Sequence, residues 1–358
     1  MFDEKEGEQI FFSSETLNPI IHIITYIFFT AILIALIYYT IIIINPLKIC
    51  NDETPNGKCS QIQPFYCNNG KLIERASTCG CPEITYGDGE KCISKYQNQS
   101  KNITLNYVLR GKEGEINYTV YKGLMDYLHE LPRTIFYLNG ESPLRQDFKI
   151  KKIYEAEQRE LILPLIIKIQ EITSDKEDQV RIAISLVQKI EFGFSDKLEF
   201  EFGQKIPYQR YPYEVLYEQK GICGEKSELL TLLLKELGYE TTILYYQKEN
   251  HEAVGIACPV ENSLNNSGYC FIETTGSSIF TNDKIVYAGT TRLQSNPEII
   301  FISNGTSLNK KMYEYKDAKT LIKINNKIEI IGRINPLDIF RLNKLTKKYN
   351  LESYYDPR

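Results

Sequence analysis

The sequence has no tryptophan, only three histidines and three methionines, and no excess of positive charge: 46 acidic residues against 42 basic ones leave a net −4. Without a basic field, a nucleic-acid role has no compositional support. The missing tryptophan, beside many Ile, Lys, Asn and 26 Tyr, fits an AT-rich coding bias and excludes nothing. No clustered carboxylate loop is present that would require calcium, and no internal repeat or low-complexity segment stands out. Three histidines confine imidazole chemistry to His22, His129 and His251. His22 reads as an interfacial polar residue and His129 as a surface or cap histidine. With 358 residues and 42% hydrophobic content, the chain has room for two or three units with a sizeable core.

One stretch lacks charge altogether. Residues 20–44, IIHIITYIFFTAILIALIYYTIIII, run for 25 positions without Asp, Glu, Lys or Arg. At 1.5 Å per residue a helix of that length crosses a hydrocarbon core of about 30 Å with some tilt. A cleaved signal peptide would have a shorter apolar region behind basic residues, whereas this run follows Asp3, Glu4, Glu6 and Glu8. The expectation is one permanent span at 20–44, with the lipid bilayer as partner and a cytoplasmic tail at 1–19. Flanking charge leans weakly toward the opposite orientation, since Lys48 and Lys58 lie beyond the span. Cysteine usage outweighs it and predicts that the part after the span is extracytoplasmic at the cell membrane.

Six of nine cysteines crowd into 50–95, a stretch rich in turn formers and poor in apolar runs. Such a module needs staples. Zinc is the alternative to disulfides, but Cys79-Gly-Cys81 lacks the usual ligand spacing and no His lies nearby, so three disulfides are favoured without a choice among 15 pairings. Asn-X-Ser/Thr acceptor sites at Asn98, Asn102, Asn117, Asn265 and Asn304 all follow the apolar run.

Residues 101–174 read as an α/β lead-in: a strand in ITLNYVLRG, a helix over 121–131 stopped by Pro132, and a helix over 153–173 weakened by Pro164. A further helix is expected over 176–192, with Ser174 and Asp175 available as caps. A catalytic core is expected over 175–290. Residues 291–358 read as a sheet extension, including strands in EIIFIS and TLIKINNKIEIIG, closed by the polar helix PLDIFRLNKLTKKYN.

The stretch from Gly221, GICGEKSELLTLLLKELGY, places Cys223 at the start of a helix whose Leu229, Leu230, Leu233, Leu234 and Leu237 recur at i, i+3, i+4, with Gly238 to end it. Unpaired amides and the helix dipole stabilise a thiolate at that end. Gly221 and Gly224 would let a substrate backbone approach; Glu225 and Lys226 read as first-turn solvent contacts. A buried strand follows at 240–246, then two segments that look like a hairpin, HEAVGIACP and GYCFIETTG. Period-2 alternation puts His251 on one face and Cys258 on the other, and likewise separates Glu273 from Cys270. Six cysteines in the module and two facing across the hairpin leave Cys223 over. A leftover cysteine in an exported domain is a reactive thiol or an intermolecular staple. With His251 as base and Glu273 as the group that orients it, Cys223 has the partners of a Cys-His-acid triad.

YPYEVLYEQKGICGEKSELLTLLLKELGYETTILYY, HEAVGIACP and YCFIETT, in that order, closely resemble the transglutaminase-like superfamily, in particular its archaeal and bacterial members. The likeness covers about 175–280. It implies an α+β, papain-like core in which a Cys-headed helix packs on an antiparallel sheet, with Cys223 as nucleophile, His251 as general base and Glu273 as third member. Many relatives carry Asp at that third position; Glu is one methylene longer. The family forms a thioester, its oxyanion held by the nucleophile's own N–H and an upstream side chain, for which Gln188 is the candidate. No cofactor or metal is implied, although some relatives bind calcium.

The function expected is therefore a membrane-anchored, extracytoplasmic cysteine enzyme attacking a protein or peptide amide, by hydrolysis or transamidation. The alternative is a non-catalytic transglutaminase-like module for surface adhesion or assembly.

Overall fold

The computed structural model describes residues 14–44 and 49–351, except 84, 136, 139, 141, 202–203, 285 and 288–290. The chain divides into two units, Met1–Ile49 and Cys50–Arg358.

In the first unit α1 runs Ser14–Ile44, 31 residues. Its side chains are described over 22–37, where Ile23, Phe28 and Leu33 are exposed. Among the described residues no helix is long and apolar enough to cross a membrane. The ends of the expected span, and residues 1–13 of the expected tail, lie outside the residues so described.

The second unit is a mixed α+β body that begins with a disulfide-rich region. There β1 (Phe65–Asn68) pairs with β2 (Lys71–Glu74), and α2 (Ala76–Cys79) leads to the hairpin of β3 (Tyr86–Asp88) and β4 (Lys91–Ile93). Disulfides Cys50–Cys67, Cys59–Cys79 and Cys81–Cys92 staple it, so all six module cysteines are paired. Its small core of Cys50, Phe65, Cys67 and Leu72 includes one residue from beyond the module, Ile167. That is the dependence on cross-links which so few apolar side chains require.

A long hairpin follows, β5 (Ser100–Leu109) against β6 (Lys112–Tyr121), then α3 (Lys122–Glu130). A helix that the sequence pattern does not announce, α4 (Arg145–Ile153), comes next, and α5 starts three residues later than expected, at Ala156, and runs to Ile172 straight through Pro164. Proline removes one helix hydrogen bond. Here Leu161, Ile162, Leu165, Ile166 and Ile169 are buried around it, and their burial outweighs that loss. Next, α6 (Lys176–Lys189) is capped by Asp175, whose side chain accepts from the Asp178 amide at 3.0 Å.

Then come β7 (Glu191–Phe192), the ribbon of β8 (Leu198–Glu201) and β9 (Gln204–Pro207), α7 (Pro212–Glu218), β10 (Lys220–Gly221) and α8 (Cys223–Glu236). The remaining strands are β11 (Thr241–Tyr246), β12 (His251–Ala257), β13 (Tyr269–Ile272), the short pair β14 (Val286–Tyr287) and β15 (Thr291–Arg292), and β16 (Glu298–Ser303). The central sheet has the order β13-β12-β11-β16, antiparallel throughout.

Leu229, Leu230, Leu232, Leu233 and Leu234 of α8 share one core with Ile243, Val254, Ile256, Ile272 and Ile300 of the sheet and Val180, Ile184 and Val187 of α6. From Glu225 to Leu234 every residue of α8 is buried, so it is a central helix rather than a surface one. On the hairpin of β12 and β13, Ile256 faces Cys270, and Cys258 is bonded to Cys270, on the side that shares α8's core.

The C-terminal region departs from expectation. TLIKINNKIEIIG belongs not to a strand but to α9 (Glu314–Ile331), whose Tyr315, Ala318, Leu321 and Ile324 are buried at helical spacing. Last comes α10 (Pro336–Tyr349), capped by Asn335.

Candidate active site

The nucleophile candidate is positioned by its turn. Ile222 is the N-cap of α8 and Cys223 its first residue, half-buried and the one cysteine outside a disulfide. Glu225 reaches back to accept from the Ile222 amide at 3.0 Å, and also takes the Arg210 amide at 2.8 Å and its guanidinium at 3.0 Å. A carboxylate at the third helical position is well placed for this. Both Glu225 and Lys226 are therefore buried, 2% and 0% exposed, and not the solvent contacts the sequence suggests.

The two glycines also have a packing reason. A Cβ on Gly224 would stand 2.7 Å from Glu252 Oε2, and one on Gly221 3.1 Å from Lys226 Cγ and 3.2 Å from Val215. They admit neighbouring protein groups on either side of Cys223.

His251 opens β12 and Glu273 follows directly on β13; both are buried, 1% and 2% exposed. His251 Nε2 lies 2.8 Å from Glu273 Oε2, and the His251 side chain is also hydrogen-bonded to Cys223. With an ionised carboxylate at Nε2, that nitrogen carries the proton, which leaves Nδ1 for the thiol.

The other carboxylate oxygen is saturated: Glu273 Oε1 accepts from the Thr274 amide at 2.9 Å, the Thr275 amide at 2.8 Å and the Thr275 hydroxyl at 2.7 Å. Burial pushes the Glu273 carboxyl up, but the His251 hydrogen bond and charge, with the side-chain and backbone hydrogen bonds from Thr275, hold it below the usual range. For His251 burial favours the neutral ring. Hydrogen bonds to Cys223 and Glu273, and their charges, overcome it and push the imidazole up to about 9.

Gln188 lies behind this line rather than free in front of it. Its amide nitrogen donates to the Glu273 carbonyl at 2.9 Å and to Ser278 at 3.1 Å (Oγ) and 3.3 Å (carbonyl). Both amide hydrogens are thus engaged in holding the segment after β13.

Further groups not foreseen tie the parts together. Ser227 bridges the Glu252 carbonyl and the Thr274 hydroxyl, each at 3.2 Å. Lys149 of α4 sits between Glu228 of α8 at 2.7 Å and Glu252 of β12 at 2.6 Å. Only Glu225 had a readable signal, its place three residues after the cap. Among the described residues no group of three or more His, Cys, Asp or Glu could hold a metal ion.

No family model and no curated protein matches this sequence. Among solved structures, calcium-bound LapG from Legionella pneumophila matches with a TM-score of 0.22 and 13% identity, over 46% of this chain and 98% of that one. A likeness that loose carries no argument about this chain.

Proposed function

We propose that Cys223, His251 and Glu273 form the triad of a cysteine enzyme with a transglutaminase-like, papain-like core, acting on an amide bond through a thioester. The observation that carries this reading is the hydrogen-bonded line from Cys223 through His251 to Glu273, with its 2.8 Å Nε2–Oε2 contact.

In the first half-reaction the thiol proton passes to His251 Nδ1 and the sulfur attacks the amide carbonyl carbon. The oxyanion forms beside the first-turn amides of α8, which have no acceptor within the helix. Collapse expels the amine, which takes the proton from the imidazolium, and leaves the acyl group on sulfur. In the second half-reaction His251 deprotonates water, for hydrolysis, or an amine, for transamidation, and the thiolate departs. Glu273 keeps the Nε2–H tautomer throughout. Gln188, with its hydrogens committed, serves in this scheme by holding the backbone of Glu273, and the oxyanion rests on amides.

We further propose that α1 anchors the protein in a membrane with the second unit on the oxidising side. The uncharged run 20–44 and four disulfides in the second unit support this. Alkaline extraction of membranes from expressing cells checks the anchor: release of the full chain into the supernatant would refute it.

The enzymatic reading is tested by mass spectrometry of the purified protein with iodoacetamide and with peptide amides. One alkylated residue, Cys223, slowed strongly in His251→Ala, and an acyl adduct on Cys223 are the expected results. Equal alkylation in both proteins would sink the triad. Labelling without any adduct would favour a binding module that has kept the residues but not the turnover.

A further inference from the structure

Among the described residues of α8, one buried charge has no ion pair. Lys226 stands three residues after Cys223 on α8 and is fully buried. Its ammonium donates to the Ile190 carbonyl at 2.6 Å and faces the Gln188 carbonyl at 3.5 Å, and it makes no ion pair among the described residues. Taking an ammonium out of water without a carboxylate partner is costly, and an apolar side chain of similar length would fill the space without that cost.

The charges around it are otherwise matched. Glu225 pairs with Arg210, Glu228 with Lys149 and Lys152, and Glu191 with Lys220; Lys189 at the end of α6 is half-buried. The charge that acts on Lys226 is the Glu273 carboxylate. When the thiolate forms, Cys223 and Glu273 each carry −1 and His251 +1, so the triad alone is a buried net anion. Lys226 brings the total to zero. It also occupies the last carbonyls of α6, from which the Gln188 side chain reaches the Glu273 backbone.

We infer that Lys226 is a positioning residue for the thiolate: its ammonium, held on the end of α6 by a side chain one helical turn from Cys223, balances the site's negative charge and lowers the pH at which Cys223 ionises. This rests on the reading of Cys223 as the nucleophile. Burial also pulls Lys226 down to about 8, against the attraction of Glu273, so the balancing charge fades at alkaline pH.

The test is the pH dependence of Cys223 alkylation by iodoacetamide, from about pH 4 to 9, with folding checked by circular dichroism, in wild type, Lys226→Met, Lys226→Gln and His251→Ala. Gln keeps a hydrogen bond to the Ile190 carbonyl without the charge, and gives a second chance of a folded variant. Both substitutions should move the acid midpoint up by about one unit, the order expected for one nearby charge, and the curves should converge with wild type near pH 9. A Lys226→Gln midpoint at the wild-type value, in folded protein, overturns the inference, because a purely structural lysine is rescued by the hydrogen bond. A wild-type curve with the ordinary thiol midpoint near 8.5, unmoved by His251→Ala, instead removes the active-site reading itself.

Discussion

Replacing Glu273 by Gln is the sharpest probe of the line from Cys223 to Glu273, because the structure dictates which way the new amide must turn. Three donors converge on Oε1, the Thr274 and Thr275 amides and the Thr275 hydroxyl, so the Gln oxygen has to take that place. Its NH2 then falls where Oε2 stands, 2.8 Å from His251 Nε2, and meets a donor with a donor. The imidazole escapes by moving its proton to Nδ1, the nitrogen that must accept from the thiol.

The size of the loss follows from the ring's raised basicity. His251 stands at about 9 against an ordinary 6.5, which corresponds to about 3 kcal/mol. Two partners share it, Cys223 and Glu273, so losing one removes on the order of 1–2 kcal/mol. In Glu273→Gln the His251 imidazolium should therefore lose its proton about one pH unit lower than in wild type. Proton NMR of the imidazole ring, assigned against His251→Ala, reads that midpoint directly. A Glu273→Gln protein whose imidazolium midpoint matches wild type would refute the reasoning.

Other consequences can be measured alongside. Gln188→Ala strips the donors from the Glu273 carbonyl and Ser278, and should lower the unfolding free energy by about 1–3 kcal/mol, with less effect on Cys223 alkylation than His251→Ala; an unchanged urea midpoint would contradict it. Removing the Cys258–Cys270 bridge as a double Ala variant should cost about 3 kcal/mol in thermal or urea unfolding, yet leave Cys223 alkylation intact below the new melting point. The raised His251 adds stability that is complete below about pH 6.5 and lost as the pH climbs through about 9. Lys226 works in the opposite sense, since its charged form weakens the fold below about 8 and that burden lifts toward 10.5. The stability difference between wild type and His251→Ala, from urea melts at pH 6 to 10, should thus shrink with pH; a constant difference would show that the imidazolium is not what stabilises.

Much of this arrangement could be read before any coordinates. The leucine spacing marks α8, the leftover cysteine falls at its start, and strand parity separates His251 and Glu273 from the cysteines that are in fact bridged, Cys258 and Cys270. What escaped has a physical cause in each case. TLIKINNKIEIIG is rich in Ile, which favours strands locally. Its burial at Tyr315, Ala318, Leu321 and Ile324, with Ile330 84% exposed, is decided by what the segment packs against. Lys226 and Glu225 carry charges that belong in water by default, and only the carbonyls of α6 and the Arg210 guanidinium explain their burial. The hydrogens of Gln188 are claimed by Ser278, 90 residues away, a partner no local pattern announces.

The pairing of eight cysteines and the solitude of the ninth also define how this protein would fail under oxidants. A thiolate at Cys223 attacked by peroxide becomes a sulfenic acid, which a neighbouring thiol normally condenses with and returns to the reducing pool. Every other sulfhydryl of the chain is already locked in a bridge. Rescue must then arrive from a small thiol or another protein, and where none is at hand a second oxidation to the sulfinic acid makes the loss permanent.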